Sequence, residues 1–223
     1  FSGRRSRPRV SWTWGARPRS GVPARWRGLV MLLPALLYAP ERLPPGGFRL
    51  TLLDVGQGLA AVVETRHRTL AFDAGAKLSR HFDMGNAVVE PYLRHRGLGR
   101  IDVLVISHGD NDHSGGARSL LQVFPVRHLL TSVPDLFRDD AAMSCQAGQG
   151  WRWDGVDFQM LGPVAASTRD NDNSCVLRVR GEGGSVLLTG DIEADAENRL
   201  VTRHGSALRS DVLVVPHHGS KTS

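Results

Sequence analysis

Cysteine is nearly absent from this 223-residue chain: Cys145 and Cys175 are the only two. That excludes a disulfide-dense scaffold and a cysteine-based zinc site, while leaving room for a single bridge. Aromatic residues make up 6% of the chain. No apolar run approaches the roughly 20 residues a membrane crossing needs; the longest, Leu29 to Ala39, is interrupted by Pro34. The stretch is also a poor signal peptide, because no small-residue cleavage site follows it and the region before it is long and Trp-rich. With 41% hydrophobic and 22% charged residues, the chain is neither collagen-like, coiled-coil nor wholly disordered.

Acidic side chains are scarce only at the start. The formal net charge of +6 conventionally points to nucleic acid or a membrane surface. It divides unevenly, however. Residues 1–50 hold ten Arg against one acid, Glu41, a balance of +9; residues 51–223 hold 18 basic and 21 acidic side chains, a balance of −3. The basicity therefore belongs to a tail. Residues 1–47 read as an Arg- and Trp-rich, membrane-proximal segment with a short apolar stretch, in which Arg25-Trp26-Arg27 resembles an interfacial anchor. Pro44-Pro45-Gly46-Gly47 marks the boundary to a domain over 48–223. A first residue other than Met and a stop just after a polar motif suggest a piece of something longer.

From Phe48 the pattern becomes α/β. Residues 48–55, 59–65 and 69–73 read as an antiparallel strand meander. Residues 84–97 have helical spacing despite Pro91, and the unbroken apolar run 101–106 reads as a buried strand leading to a helix. Short strands follow at 127–131, 151–153, 156–161, 174–180 and 185–190. A helix over 193–205 begins acidic and ends at Gly205, and 211–216 reads as a last buried strand. Such an order gives two sheets with helices outside.

The chemistry concentrates in Ser107-His108-Gly109-Asp110-Asn111-Asp112-His113, where a buried strand gives way to a helix. Four metal-capable side chains within six residues, with no cation among them, repel one another unless an ion is shared. Asp191 and His217-His218 each follow a predicted buried strand, where loops turn side chains to one point. Asp73 ends a strand in the same way and fits a group that orients a ligand. Gly56-Gln57-Gly58 joins two strands and lacks a Lys, so a tight turn is expected and no nucleotide cofactor is implied. Trp151 and Trp153, alternating with Arg152, fit an edge strand better than a base-stacking platform.

The order Asp73, HGDNDH, Asp191, His217 resembles the metallo-β-lactamase superfamily. LDVGQGLAAVVET, the HxDxDH form, NDNSCVL, LLTGDIE and VPHHGSKTS are more closely similar to the C-terminal domain of ComEC-type DNA-internalisation proteins, from about Leu50 onward. The resemblance implies an αββα sandwich, here lacking its C-terminal end, and two divalent ions. It places His108 and Asp110 at the first ion, Asp112, His113 and His217 at the second, and Asp191 between them. Asp110 stands where the lactamase pattern has His, and Asp172-Asn173-Ser174 replaces the usual third-motif His. The harder donor set shifts preference toward Mn²⁺ or Mg²⁺ relative to Zn²⁺.

Asp112, Asp191, His218 and Lys221 are the expected catalytic residues, the last two contacting phosphate or the leaving group. The implied function is a nuclease on the outer, periplasmic or extracellular, face of the cell membrane. It would degrade one strand of incoming DNA beside a membrane channel in the same longer chain, with single-stranded DNA as substrate. A catalytically weak DNA-binding or gating domain and a small-molecule hydrolase are the alternatives.

Overall fold

The computed structural model describes Ala24–Leu37 and residues 42–222. The chain divides into two compact units, Phe1–Glu41 and Arg42–Ser223. In the first, a helix α1 spans Ala24–Leu37 and carries Pro34 inside it, with Val30, Met31, Leu32, Leu33 and Leu37 exposed. Among the described residues no helix is long and apolar enough to cross a membrane. The expectations for residues 1–23 lie outside the described residues. Pro44–Gly47, expected as a linker, form the first turn of the second unit: Gly46 N–H donates to Asp154 O (2.7 Å) and Gly46 O accepts from Glu182 N–H (2.8 Å).

The second unit is built on two sheets. The first orders β1 (Arg49–Leu52), β2 (Ala61–Glu64), β3 (Thr69–Phe72), β4 (Ile101–Ile106), β5 (Val126–Thr131) and β6 (Met143–Ser144). The expected meander β1–β2–β3 is antiparallel, and β3, β4, β5 and β6 run parallel. The second sheet orders β11 (Val212–Val214), β10 (Gly184–Leu188), β9 (Val176–Gly181), β8 (Val156–Gly162) and β7 (Gly150–Trp153), parallel only between β10 and β11.

Period-two alternation makes the layers. In β4, Val103 and Val105 point between the sheets, where they meet Phe72, Phe158, Met160 and Leu177. Leu104 and Ile106 point outward to α2 (Glu90–His95) and α4 (Ala117–Val123) through Leu93 and Leu120, and Ile101, at the start of the strand, joins the same cluster outside the alternation. On the second sheet, Leu161, Val176 and Leu187 are covered by α5 (Ala194–His204) through Ala196 and Leu200. The result is helix, sheet, sheet, helix. Each large side chain so buried contributes about 1.5–3 kcal/mol.

Three local outcomes differ from the sequence reading. The helix expected over 84–97 starts as a π-helical turn, Gly85–Val89, before α2. The connection between β1 and β2 is a loop rather than a tight turn, because Gly58 lies against the backbone of Asp112, where a Cβ would meet the Asp112 carbonyl. The last apolar run is not buried: β11 is an edge strand paired only with β10, and Val212, Leu213 and Val215 are exposed. The Trp expectation holds at β7, also an edge strand, whose Trp151 stacks on Phe158 at 5.3 Å.

Candidate metal centre

Parallel strands end on the same side, and β3, β4, β10 and β11 deliver their following residues to one end of the sandwich. Asp73 follows β3, Ser107 and His108 follow β4, Asp191 follows β10 by way of Gly190, and His217-His218 follow β11. A short helix α3 (Asn111–Ser114) begins after Asp110 and carries Asp112 and His113. The two sheets touch at this end, where Cys175 N–H donates to Ser107 O (2.9 Å). Gly190 sits in that seam with φ +58°, and a Cβ there would lie 2.8 Å from Ser107 Cβ. Glycine is therefore required at the residue before Asp191.

Asp73 anchors the cluster from a fully buried position. Its own φ of 58° is left-handed, a conformation Asp tolerates better than most residues. It accepts the Ser107 backbone N–H (2.6 Å), the Ser107 hydroxyl (2.8 Å) and Nδ1–H of His113 (2.8 Å). Because the Ser107 proton goes to Asp73, Ser107 Oγ accepts from Nδ1 of His108 at 2.9 Å. Both imidazoles are thus turned with Nε2 toward the same space, the arrangement by which a second layer of groups aims metal ligands. Sequence reading found Asp73 but missed Ser107, whose one signal is its position between the end of β4 and His108.

The Nε2 atoms converge with carboxylates. His113 Nε2 lies 3.1 Å from Asp191 Oδ1 and 3.3 Å from His218 Nε2. His218 Nε2 lies 3.3 Å from Asp112 Oδ2 and 3.4 Å from Asp191 Oδ2. Two ligand sets result, His108, His113 and Asp191, and Asp112, His113 and His218, each with donor atoms within 4.8 Å of one another. His108 Nε2 is buried with no hydrogen-bond partner. An orphaned imidazole lone pair amid converging carboxylates fits a divalent cation, which removes both the orphan and the mutual repulsion.

Electrostatics agree. Burial pushes the His113 imidazole down, but the charge of Asp73 and hydrogen bonds to Asp191 and Asp73 override it and raise the group to about 10. Burial and the neighbouring His113 charge push His108 down instead. Burial raises the Asp191 carboxyl, yet the His113 hydrogen bond and charge outweigh it and leave the group below its ordinary value. Without an ion, His113 carries the positive charge the carboxylates demand; a bound cation takes that proton's place.

Not every expected residue joins. His217, expected at the second ion, is turned away: its Nδ1 lies 2.8 Å from Thr222 Oγ1 and 3.8 Å from Glu193 Oε1. His218 occupies the place assigned to His217. Both residues have left-handed backbone, φ 44° and 53°, and this turn sends the neighbouring rings to different sides. Asp110 stays at the rim, its carboxylate 3.5 Å from His108 Nε2 and 56% exposed. Lys221 is exposed and makes no hydrogen bond or ion pair with described residues. The third-motif residue Asp172 is held elsewhere, accepting Glu193 N–H at 3.1 Å, while Ser174 Oγ accepts Asp191 N–H at 3.3 Å.

Cys145 and Cys175 are joined in a disulfide across 30 residues of sequence, with Cα atoms 5.9 Å apart. The bridge ties the end of β6 to the start of β9, next to Ser174.

Residues 53–223 match the family described as the Metallo-beta-lactamase superfamily. Competence protein ComA of Neisseria gonorrhoeae is 38% identical over 204 residues, covering 91% of this chain and 28% of that protein. Recombination protein 2 of Haemophilus influenzae is 38% identical over 197 residues, covering 88% and 24%. Ribonuclease J of Mycobacterium tuberculosis is 29% identical over 175 residues, covering 71% and 30%. The chain thus spans about a quarter of the length of its competence-type relatives. Among solved structures, the metallo-beta-lactamase SMB-1 bound to 2-mercaptoethanesulfonate superposes with a TM-score of 0.57 at 13% identity, covering 80% of this chain and 81% of that one, a likeness of fold alone. With the αββα layers, the strand-end ligand sets and these relatives together, the chain belongs to the metallo-beta-lactamase superfamily, in its ComEC-type branch.

Proposed function

We propose that this domain is a metal-dependent nuclease acting on single-stranded DNA. The observation that carries the reading is the convergence of three imidazoles, His108, His113 and His218, with Asp112 and Asp191 at one rim. His108, His113, His218, Asp112 and Asp191 would hold Mn²⁺, Mg²⁺ or Zn²⁺, which would supply Lewis acidity for phosphodiester hydrolysis without a side-chain nucleophile. Asp191 lies against both His113 and His218, and His113 is the residue the two ligand sets share. Asp73 and Ser107 fix the rings, as described above. His218 and Asp112 are 33% and 28% exposed, so the rim opens to solvent and admits a polymer. At the opening only the His218 imidazole can donate to a scissile phosphate, whereas the Asp112 and Asp110 carboxylates would repel it unless a cation stands between.

The names of the relatives support a nucleic-acid substrate: two are competence or recombination proteins and one is a ribonuclease. The Cys145–Cys175 bridge suits an oxidising compartment, in keeping with a position on the outer face of the membrane beside a channel of the same longer protein.

The test is cleavage of end-labelled single-stranded DNA by the 223-residue protein with each ion in turn. Asp112→Ala and Asp191→Ala should abolish cleavage while melting stays cooperative. A variant that cuts at the parental rate overturns the assignment. DNA binding without cleavage in any ion would establish the gating alternative, and turnover of nitrocefin or a thioester the small-molecule one.

A further inference from the structure

The pole of the sandwich opposite the metal centre carries a concentrated positive charge that catalysis does not use. An open cleft of about 560 Å³ there is lined by the β2–β3 loop (Thr65, Arg66, His67, Arg68), the loop before β4 (Gly97 to Arg100) and Asp102. Asp102 is 2% exposed. It gathers Arg68 at 2.7 Å, Arg100 at 3.2 Å and Arg127 at 4.0 Å. Arg66 is exposed on the same cleft and takes no partner among the described residues. Three guanidiniums therefore share one buried carboxylate, and a fourth, that of Arg66, lines the same cleft. The adjoining acids do not cancel the excess: Asp154 is held by His67 and Thr65, and Glu64 by Arg49 and Arg96. This pole is strongly basic although residues 51–223 as a whole are acidic by three charges.

The polypeptide enters the domain at the same pole. Gly46 is bonded to the Asp154 backbone, and the Asp154 carboxylate holds Thr65 Oγ1 and His67 N–H on either side of Arg66. The segment upstream contains eight Arg before Gly28 and the apolar helix α1 with its exposed Val30, Met31, Leu32, Leu33 and Leu37. Arg25-Trp26-Arg27 immediately before an apolar run has the composition of an interfacial anchor.

We infer that the Arg66–Arg68–Arg100–Arg127 pole docks on an anionic phospholipid surface, with the metal centre facing away from it. Three observations favour lipid phosphate over nucleic acid. The segment that precedes this entry in sequence contains an apolar run. The cleft has no Trp, Tyr or Phe on which a base could stack. The five residue steps from Asp102 in β4 to Ser107 just after it separate this pole from the metal centre by about 17 Å, so a strand bound here is not presented for cleavage. This inference is independent of the nuclease reading: it concerns how the domain sits, not what it hydrolyses.

The experiment is sedimentation of the full 223-residue chain with vesicles of phosphatidylglycerol and phosphatidylcholine, and with phosphatidylcholine alone. Hydrogen exchange on the vesicle-bound protein accompanies it. Each arginine at such a surface is worth about fivefold in partitioning. Arg66→Ala alone, at an exposed and unpartnered residue, should weaken binding to anionic vesicles by that factor. Arg66→Ala/Arg100→Ala/Arg127→Ala, which keeps Arg68 on Asp102, should weaken it on the order of 100-fold and leave neutral vesicles unaffected. Bound protein should show protection at residues 65–68 and 97–100 and none at 108–114. Binding of the triple variant within twofold of the parent overturns the inference, as does protection at the metal end instead. If the triple variant keeps its vesicle affinity but loses affinity for a 20-nucleotide single strand, the pole is a nucleic-acid track and the inference also fails.

Discussion

Ser107→Ala isolates the group that aims the metal ligands without removing any ligand. The hydroxyl makes three close contacts, to Asp73 Oδ2 at 2.8 Å, His108 Nδ1 at 2.9 Å and His113 Nδ1 at 3.4 Å. Its loss leaves His108 Nδ1 without an acceptor in a fully buried site. The Ser107 N–H to Asp73 bond survives, so Asp73 and His113 stay in place and the damage centres on His108. A buried donor left unsatisfied costs about 1–3 kcal/mol, which for a domain of this size lowers the melting temperature by roughly 2–12 °C. Losing the group that orients a ligand typically costs 10- to 100-fold in metal affinity, or about 1.4–2.7 kcal/mol. Calorimetric titration of chelator-treated protein with Mn²⁺ and with Zn²⁺ measures this directly. Ser107→Thr, which restores the hydroxyl, should recover most of the affinity. If Ser107→Ala binds either ion within twofold of the parent, the hydroxyl only fills space and the orientation argument is refuted.

Other predictions follow from the same geometry. His218→Asn should lower cleavage and metal affinity at least tenfold, whereas His217→Asn should leave both near the parental values; Asn tolerates the left-handed backbone at either place, and the reverse ranking would restore His217 as the ligand. Reducing the Cys145–Cys175 bridge, or replacing both with Ser, should cost about 3–4 kcal/mol of loop-closure stabilisation, read as a drop in melting temperature of roughly 6–16 °C; an unchanged melt on reduction, with thiols titrated, would show the bridge is not stabilising. For chelated protein, the His113 pKa of about 10 lies above the ordinary imidazole value of 6.5. Its stabilising contribution is therefore complete below about 6.5 and lost as pH rises toward 10. Metal affinity should rise over the same window, because binding displaces that proton. Melting curves with and without metal across pH 6 to 10 test both statements, and parallel curves would remove His113 from the ligand set.

Much of this protein is written locally in its sequence. The unbroken apolar run of β4, the loop HGDNDH after it and the acidic start and glycine end of α5 are short-range patterns, and each forms where its pattern lies. Asp73 and Asp191 were legible as strand-end carboxylates, and two cysteines left only one intramolecular bridge to form. The uneven charge was countable too, since a sum needs no fold.

Tertiary structure decided what depends on residues far apart. Whether His217 or His218 turns inward is set by a left-handed turn after an edge strand, and no spacing rule separates adjacent histidines. Asp172 stands at the motif that usually carries a His, and its carboxylate is captured by the backbone of Glu193, 21 residues on. The run before His217 looks buried by composition, yet an edge strand with one neighbour leaves its outer residues in water. Ser107 gains its role because β3 and β4 run parallel and set Asp73 beside it. The basic pole exists because the loop before β3, the loop before β4 and the start of β5 bring their arginines to a single buried carboxylate, Asp102. Periodicity and charge act along the chain, whereas ligand geometry and surface potential depend on which strand ends the sheets bring together.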